Sequence, residues 1–212
     1  MTFVGVDLGA SAIHLVILDA SRRVIDGLVL APEESGQLAA LAGDATVVAI
    51  DAPAVLSTAP HAADTSLSPK FRRARCCEIA LGRRHQIWVP WVTPEPDGPV
   101  PAWMTVGFDL YRQLQANGSH PIEVYPYAGF RRLAGGSRLP KKTTPAGVHK
   151  RVELLQAQGV RADWLRLWSH DAIDAALAAL LALGSRDGWA LPVGCDGGGE
   201  DDGSAIWVPA QN

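Results

Sequence analysis

The apolar positions of the chain fall into short blocks whose period changes along it. Residues 2–8, TFVGVDL, are apolar but for Thr2 and one acid, and the strand-breaking Gly9 follows. AIHLVILD (12–19) and RVIDGLVL (23–30) are two further blocks of strand length, and the turn Asp19-Ala20-Ser21-Arg22 between them is short enough for an antiparallel hairpin. Pro32-Glu33-Glu34-Ser35 opens a helix that runs to about Leu41 and is closed by Gly43-Asp44. TVVAIDAP (46–53) is continuously apolar up to Asp51, as expected of a strand covered on both faces. The next strand block is PIEVYPY (121–127). Between the two, the spacing predicts a basic helix around 70–84, a proline-rich loop over 88–103, and a helix in which Phe108, Tyr111 and Leu114 share one face before Asn117-Gly118 ends it. Further helices are predicted near 146–158 and from Ser169, as N-cap, through HDAIDAALAALLAL to Gly184; the last is apolar on nearly all sides. Glycine and aspartate dominate 194–203, which predicts a mobile tail, and SAIWVP (204–209) suits an edge strand.

Three hairpin-connected strands followed by alternating helices and strands predict an α/β protein with a mixed sheet rather than a doubly wound parallel one. Five strands are expected, three antiparallel and then parallel ones, flanked by helices, with a helical and proline-rich insertion at about 54–120 between strands four and five. The length of 212 residues and the 48% hydrophobic composition fit a single domain over 1–212. No block approaches the about 18 uninterrupted apolar residues of a membrane span. The opening MTFVGVDLG carries no basic leader, so a soluble cytoplasmic protein without membrane contact is expected. Adjacent Cys76 and Cys77 with a distant Cys195 fit a reducing compartment better than a disulfide framework or a structural zinc site. The net charge of −3 gives no support to a general polyanion binder. Basic residues nevertheless cluster, at Lys70, Arg72, Arg73, Arg75, Arg83 and Arg84 and again across Arg131–Arg151, where no acid intervenes. Each cluster suits a solvated face or a phosphate-binding rim.

The acids carry the sharper signal. Asp7 lies inside the first apolar strand, where an unpaired carboxylate costs several kcal/mol, so a donor, a cation or a metal ion must meet it. Asp51 ends a strand at the carboxyl edge where open α/β sheets place their sites, although an Asp before Ala-Pro also suits a turn. Asp171 stands in the first turn of the last helix, where the dipole favours negative charge. Asp174 shares its face but lies too deep to cap, and two such carboxylates repel unless a cation sits between them or they reach solvent. Glu123 is a fifth candidate, or a strand-end residue. Carboxylates from two adjacent strands and a helix across their ends can converge on one point, and oxygen-only ligands suit Mg²⁺ or Mn²⁺. In a two-metal site of this kind one ion lowers the pKa of a water that attacks phosphorus and the other stabilises the leaving oxygen. Trp88 and Trp91 suit stacking of unpaired bases or packing of their long loop. His170 suits a proton shuttle or simply the first helical turn, and Lys141-Lys142 a phosphate contact or a plain loop.

Six segments, GVDLG (5–9), AIDAP (49–53), RARCCE (73–78), EVYPYAGFR (123–131), HDAIDAALAAL (170–180) and GSAIWVP (203–209), together resemble domain of unknown function family 429, whose members are predicted nucleases with an RNase H-like fold. The resemblance spans nearly the whole chain. The first and fifth segments also look like those of Holliday-junction resolvases, in which a strand-one Asp, a strand-four acid and two acids three apart on the last helix bind divalent metal. By that resemblance Asp7, Asp51, Asp171 and Asp174 are the metal-binding and catalytic positions here, with Asp51 standing where the resolvases carry the longer Glu. Arg75 and Glu123 match segments particular to the narrower family. What they do there the resemblance does not settle; as neighbours of the site, Glu123 is expected among the catalytic acids and Arg75, like the loop residues Lys141 and Lys142, at substrate phosphate. The resemblance implies a metal-dependent nuclease, a hydrolase of phosphodiester bonds whose partner is nucleic acid. It leaves open the type of nucleic acid and the oligomeric state, a homodimer included. Two other readings stand beside it. One is a phosphotransferase or ATPase of the sugar-kinase and actin superfamily, whose first strand also carries a D-x-G turn; the other is a nucleic-acid-binding protein that keeps the fold without catalysis.

Overall fold

The computed structural model describes every residue except 43, 165–168, 196–199 and 211–212, so Gly43 of the expected helix end lies outside the described residues. The strands form one seven-stranded mixed sheet, β3-β2-β1-β4-β5-β7-β6. β1 (Thr2–Leu8), β2 (Ile13–Asp19) and β3 (Val24–Leu30) make the expected antiparallel meander, with Asp7 opposite His14. β4 (Val47–Asp51) runs parallel to β1 and sets Asp51 beside Asp7; β5 (Ile122–Val124) runs parallel to β4. Two strands extend the sheet beyond the five expected. β6 (Ala190–Val193) and β7 (Ile206–Pro209) form an antiparallel pair, and β7 runs parallel to β5. SAIWVP thus supplies a strand, but an interior one, because β6 takes the edge.

The helices differ from expectation where a residue's backbone preference meets a packing demand. A 3₁₀ turn, Pro32–Gln37, leads into α1 (Leu38–Ala42). The single basic helix expected at 70–84 is two, α2 (Pro69–Arg72) and α3 (Cys76–His85), because Arg75 adopts an extended backbone as N-cap of α3 and sends its side chain inward. α4 (Ala102–Ala116) ends at Asn117 with Gly118 in the left-handed region, at φ 79°. Residues 125–127 were expected to continue the fifth strand. Instead Pro126, whose ring presets a helical φ and offers no N–H to a sheet, starts α5 (Pro126–Leu133). α6 spans Pro145–Ala157. Ser169 caps α7 (His170–Asp187) as expected, but the helix runs through Gly184 to a left-handed Gly188. Gly184 is small for another reason: a Cβ there would lie 2.7 Å from the Trp189 ring. Of the tail expected at 194–203, residues 196–199 lie outside the described residues; Asp202 accepts from the Cys76 amide at 3.0 Å and so caps the start of α3.

Alternation along the strands sorts the core into two faces. Phe3, Val16, Ala49 and Val124 pack against α7, whereas Val4, Val6, Leu15, Val48 and Ile50 pack against α1 and α4. Cys77, Ala80 and Leu81 of α3 cover Ile206 and Val208 at the other end of the sheet. Among the described residues no helix is long and apolar enough to cross a membrane.

Sheet and helix approach closely at Gly5, where a Cβ would stand 2.0 Å from the Ala175 carbonyl oxygen and 2.2 Å from the Ala179 amide nitrogen. Gly5→Ala is therefore expected to push α7 off β1 and to cost about 2–3 kcal/mol, read as a lower urea midpoint with unchanged m-value. An unchanged midpoint would disprove this close packing. The same separation sets how far Asp7, two residues on, stands from Asp174.

Candidate metal centre and its cleft

The carboxyl ends of β1 and β4 and the N-terminal turns of α7 meet at one point. Asp7 leaves β1 toward the α7 side, since Val6 and Leu8 beside it face the other way. Asp7, Asp171 and Asp174 each bring an oxygen atom into a group spanning no more than 4.8 Å. Asp51 stands against Asp7, with a side-chain hydrogen bond between the two. Asp7 and Asp174 are buried, and Asp171 is half-buried.

A cation is already in place. Lys142 Nζ donates to Asp171 Oδ1 at 2.9 Å and to Asp174 Oδ2 at 2.7 Å, while His170 Nδ1 lies 2.6 Å from Asp171 Oδ1. Burial, then the charge of Asp174, push Asp7 up to about 7. Burial and the charge of Asp7 drive Asp51 well above the usual carboxylate range. Burial also raises Asp174, against the pull of Lys142. Burial acts the same way on Asp171, but there the hydrogen bond and charge of Lys142, with those of His170, win and hold it below its ordinary value. One ammonium thus leaves the four acids under-neutralised, so burial and mutual repulsion favour protons on Asp7, Asp51 and Asp174. The donor set is oxygen only and gathered within ligand reach, so the residues present fit a hard divalent cation.

Arg75 and Glu123 go elsewhere. Glu123 pairs in register with Ile50, and that places its side chain on the α4 face, away from Asp7 and Asp51. Arg75, at 0% exposure, donates through Nη1 to Glu123 Oε2 at 2.7 Å and through Nη2 to Glu123 Oε1 at 2.6 Å. Glu78 Oε1 accepts from the same guanidinium at 3.2 Å and from Thr93 Oγ1 at 2.6 Å, and Glu123 Oε2 takes the Ala54 amide at 2.9 Å. The structure therefore does not bring Glu123 to the acidic cluster or Arg75 to any surface a phosphate could reach. They lock α3 and the Thr93 loop to β5.

The acids open into a cleft of about 720 Å³. Part of its lining is basic: Arg138 and Lys141 are exposed, Lys142 reaches the acids, and Arg151 is buried. Its lining is also aromatic, with Trp91, Trp103, Tyr125 and Tyr127. Of the two tryptophans singled out by sequence, Trp91 lines this cleft, whereas Trp88 stacks on Phe71 outside it, at 4.7 Å between centroids. His14 escaped the sequence reading. Its Nδ1 is buried without a hydrogen-bond partner among the described residues, and it senses the charges of Asp171 and His170. The signal was available in the hairpin register, which sets His14 across from Asp7. Trp103 and Tyr125 lay far apart in sequence, with nothing to bring them together.

The family named from the short segments is matched over part of the chain, which holds two of the six, EVYPYAGFR and HDAIDAALAAL. Residues 101–194 match the family "Protein of unknown function (DUF429)". The DUF429 match takes in α4 through β6, and with them Glu123, Lys142, Asp171 and Asp174; Asp7, Asp51 and Arg75 lie before it. No curated protein matches the chain. Among solved structures, Thermus thermophilus RuvC aligns at 14% identity and a TM-score of 0.44 over 89% of this chain and 97% of its own. T. thermophilus RuvC in complex with Holliday junction substrate aligns at 14% identity and a TM-score of 0.42 over 89% and 96%.

Proposed function

We propose that this chain is a divalent-metal-dependent nuclease that hydrolyses phosphodiester bonds of nucleic acid. The observation that carries the reading is the group of Asp7, Asp171 and Asp174 oxygens within 4.8 Å of one another, in a cleft lined in part by basic residues. Asp7, Asp171 and Asp174 would hold Mg²⁺ or Mn²⁺, with Asp51 bracing Asp7 from the neighbouring strand. A bound ion supplies stabilisation of charge on the phosphate and acidifies the attacking water. The chain's own residues do the rest. Arg138 and Lys141, exposed at the cleft, draw and align the backbone phosphates, and His170, whose Nδ1 lies 2.6 Å from Asp171 Oδ1, holds that carboxylate in place.

Cleavage of labelled single-stranded and duplex DNA and RNA, a hybrid and a four-way junction in Mn²⁺, by wild type and Asp7→Asn side by side, tests the reading. Cleavage by both, or by neither, would sink it.

Lys142 gives a separate handle. Its ammonium occupies two of the carboxylates an ion would need, so Lys142→Met is expected to raise Mn²⁺ affinity at least about tenfold, read by titration calorimetry. A fall in affinity would mean that Lys142 supports the ion rather than competing with it.

A further inference from the structure

The cleft joins two chemistries that a phosphate alone does not require. Beside its basic residues, Trp91, Trp103, Tyr125 and Tyr127 line the cleft as a continuous chain of rings, each only partly buried. The Trp91 ring lies 5.4 Å from Trp103 and 6.2 Å from Tyr125, both near edge-on, and Tyr125 lies 5.9 Å from Tyr127. The wall adjoins the acids, for the Tyr125 hydroxyl senses the charges of both Asp51 and Asp174.

It is also rigidly held. Tyr125 is the N-cap of α5 directly after β5, and Trp103 sits in the first turn of α4. Trp91 is two residues from Thr93, whose amide and hydroxyl are both bonded to the fully buried Glu78. All four rings line the cleft and keep part of their surface open to it, and a fixed, accessible aromatic ring is a stacking platform for any base. In a duplex, base faces are covered by their neighbours; only a base released from pairing and stacking offers one. The cleft volume, about 720 Å³, is that of a small-ligand site and suits one or two nucleotides rather than a double helix.

We infer that the Trp91–Tyr125 wall stacks an unpaired base of the strand whose phosphate lies over the acidic cluster, which makes single-stranded or locally unpaired nucleic acid the substrate class. This rests on the nuclease reading of the cleft. Affinity then depends on bases as well as phosphates. Sequence preference is weak, because every base has a π-face.

The test compares full-length protein on seven-nucleotide strands, DNA and RNA in parallel, with abasic strands carrying the same phosphates and with a duplex of the same sequence. Binding is followed by fluorescence anisotropy in Ca²⁺. Wild type is expected to hold the base-bearing strand roughly 5- to 100-fold more tightly than the abasic one. Trp91→Leu, which keeps apolar bulk without a π-face, is expected to shrink that ratio severalfold, and Trp91→Phe to retain most of it. The DNA and RNA arms show which sugar the cleft takes. A ratio near one in wild type, a ratio untouched by both Trp91→Leu and Tyr125→Leu, or tighter binding of the duplex would overturn the inference. Mn²⁺ binding and cleavage by Asp7→Asn are scored separately. Base-dependent binding without metal-dependent cleavage leaves the wall standing and removes the nuclease; metal-dependent cleavage with equal affinity for abasic strands does the reverse.

Discussion

Asp7→Asn is expected to lower cleavage on the order of 10³-fold or more while leaving the fold intact. The amide is isosteric with the carboxylate and can keep the hydrogen bond to Asp51, so packing between β1 and α7 is undisturbed. What is lost is charge at a buried corner of the acid group, the one member contributed by the sheet rather than by α7. Asp171 and Asp174 then remain with Lys142, an ammonium that already satisfies one oxygen of each, and little is left to attract a divalent ion. Calorimetry should show Mn²⁺ affinity falling in step with the rate. In chelator the variant should melt no lower than wild type, because a neutral amide removes the repulsion from Asp174. A variant that binds and cleaves normally would dismiss Asp7 as a ligand, and one that melts much lower would make it a structural residue.

Arg75→Met is expected to cost about 3–5 kcal/mol, which for a chain of this size lowers Tm by roughly 10 °C. The cause is not the loss of a favourable contact so much as what stays behind. Glu123, 5% exposed, and Glu78, 0% exposed, would face each other with no cation between them. Burial already raises Glu123 above its ordinary carboxyl range even with the guanidinium in place. Adding Glu123→Gln to Arg75→Met should restore part of the stability, since the amide no longer needs the missing charge. Urea unfolding of wild type, single and double variants measures both. A cost below about 1 kcal/mol would place Arg75 among ordinary surface cations, and a double variant no better than the single one would mean that Glu123 is not the group left uncompensated.

Sequence reasoning reached the meander, the capped apolar helix and the four aspartates because each is encoded over a short distance. The period of VGVDL, Ser169 before an apolar run, and the spacing of Asp171 from Asp174 are local facts. Glu123 was misjudged because its face depends on which residue of β4 it meets, and Ile50, not Asp51, is that partner. Pairing register across seventy intervening residues has no local signature. Pro126 did carry one, a ring that favours the start of a helix over the middle of a strand, but the apolar block around it hid the boundary. The role of Lys142 as partner of the acids, and the meeting of Trp91 with Tyr125, follow from loops folding back onto the sheet. Charge and aromaticity mark such residues as candidates without saying where they go.

β7 lies between β5 and β6, yet it follows them both in the chain. Until that downstream segment arrives, β5 has an open hydrogen-bonding edge, and the Cys76 and Cys77 amides at the start of α3 lack the Asp202 and Ser204 oxygens that satisfy them. A single late loop closure therefore seals the sheet and finishes the helix that carries Glu78, the anchor of the Trp91 loop. Assembly of the cleft therefore depends on contacts between segments far apart in the chain, the kind that slow folding by the measure of contact order.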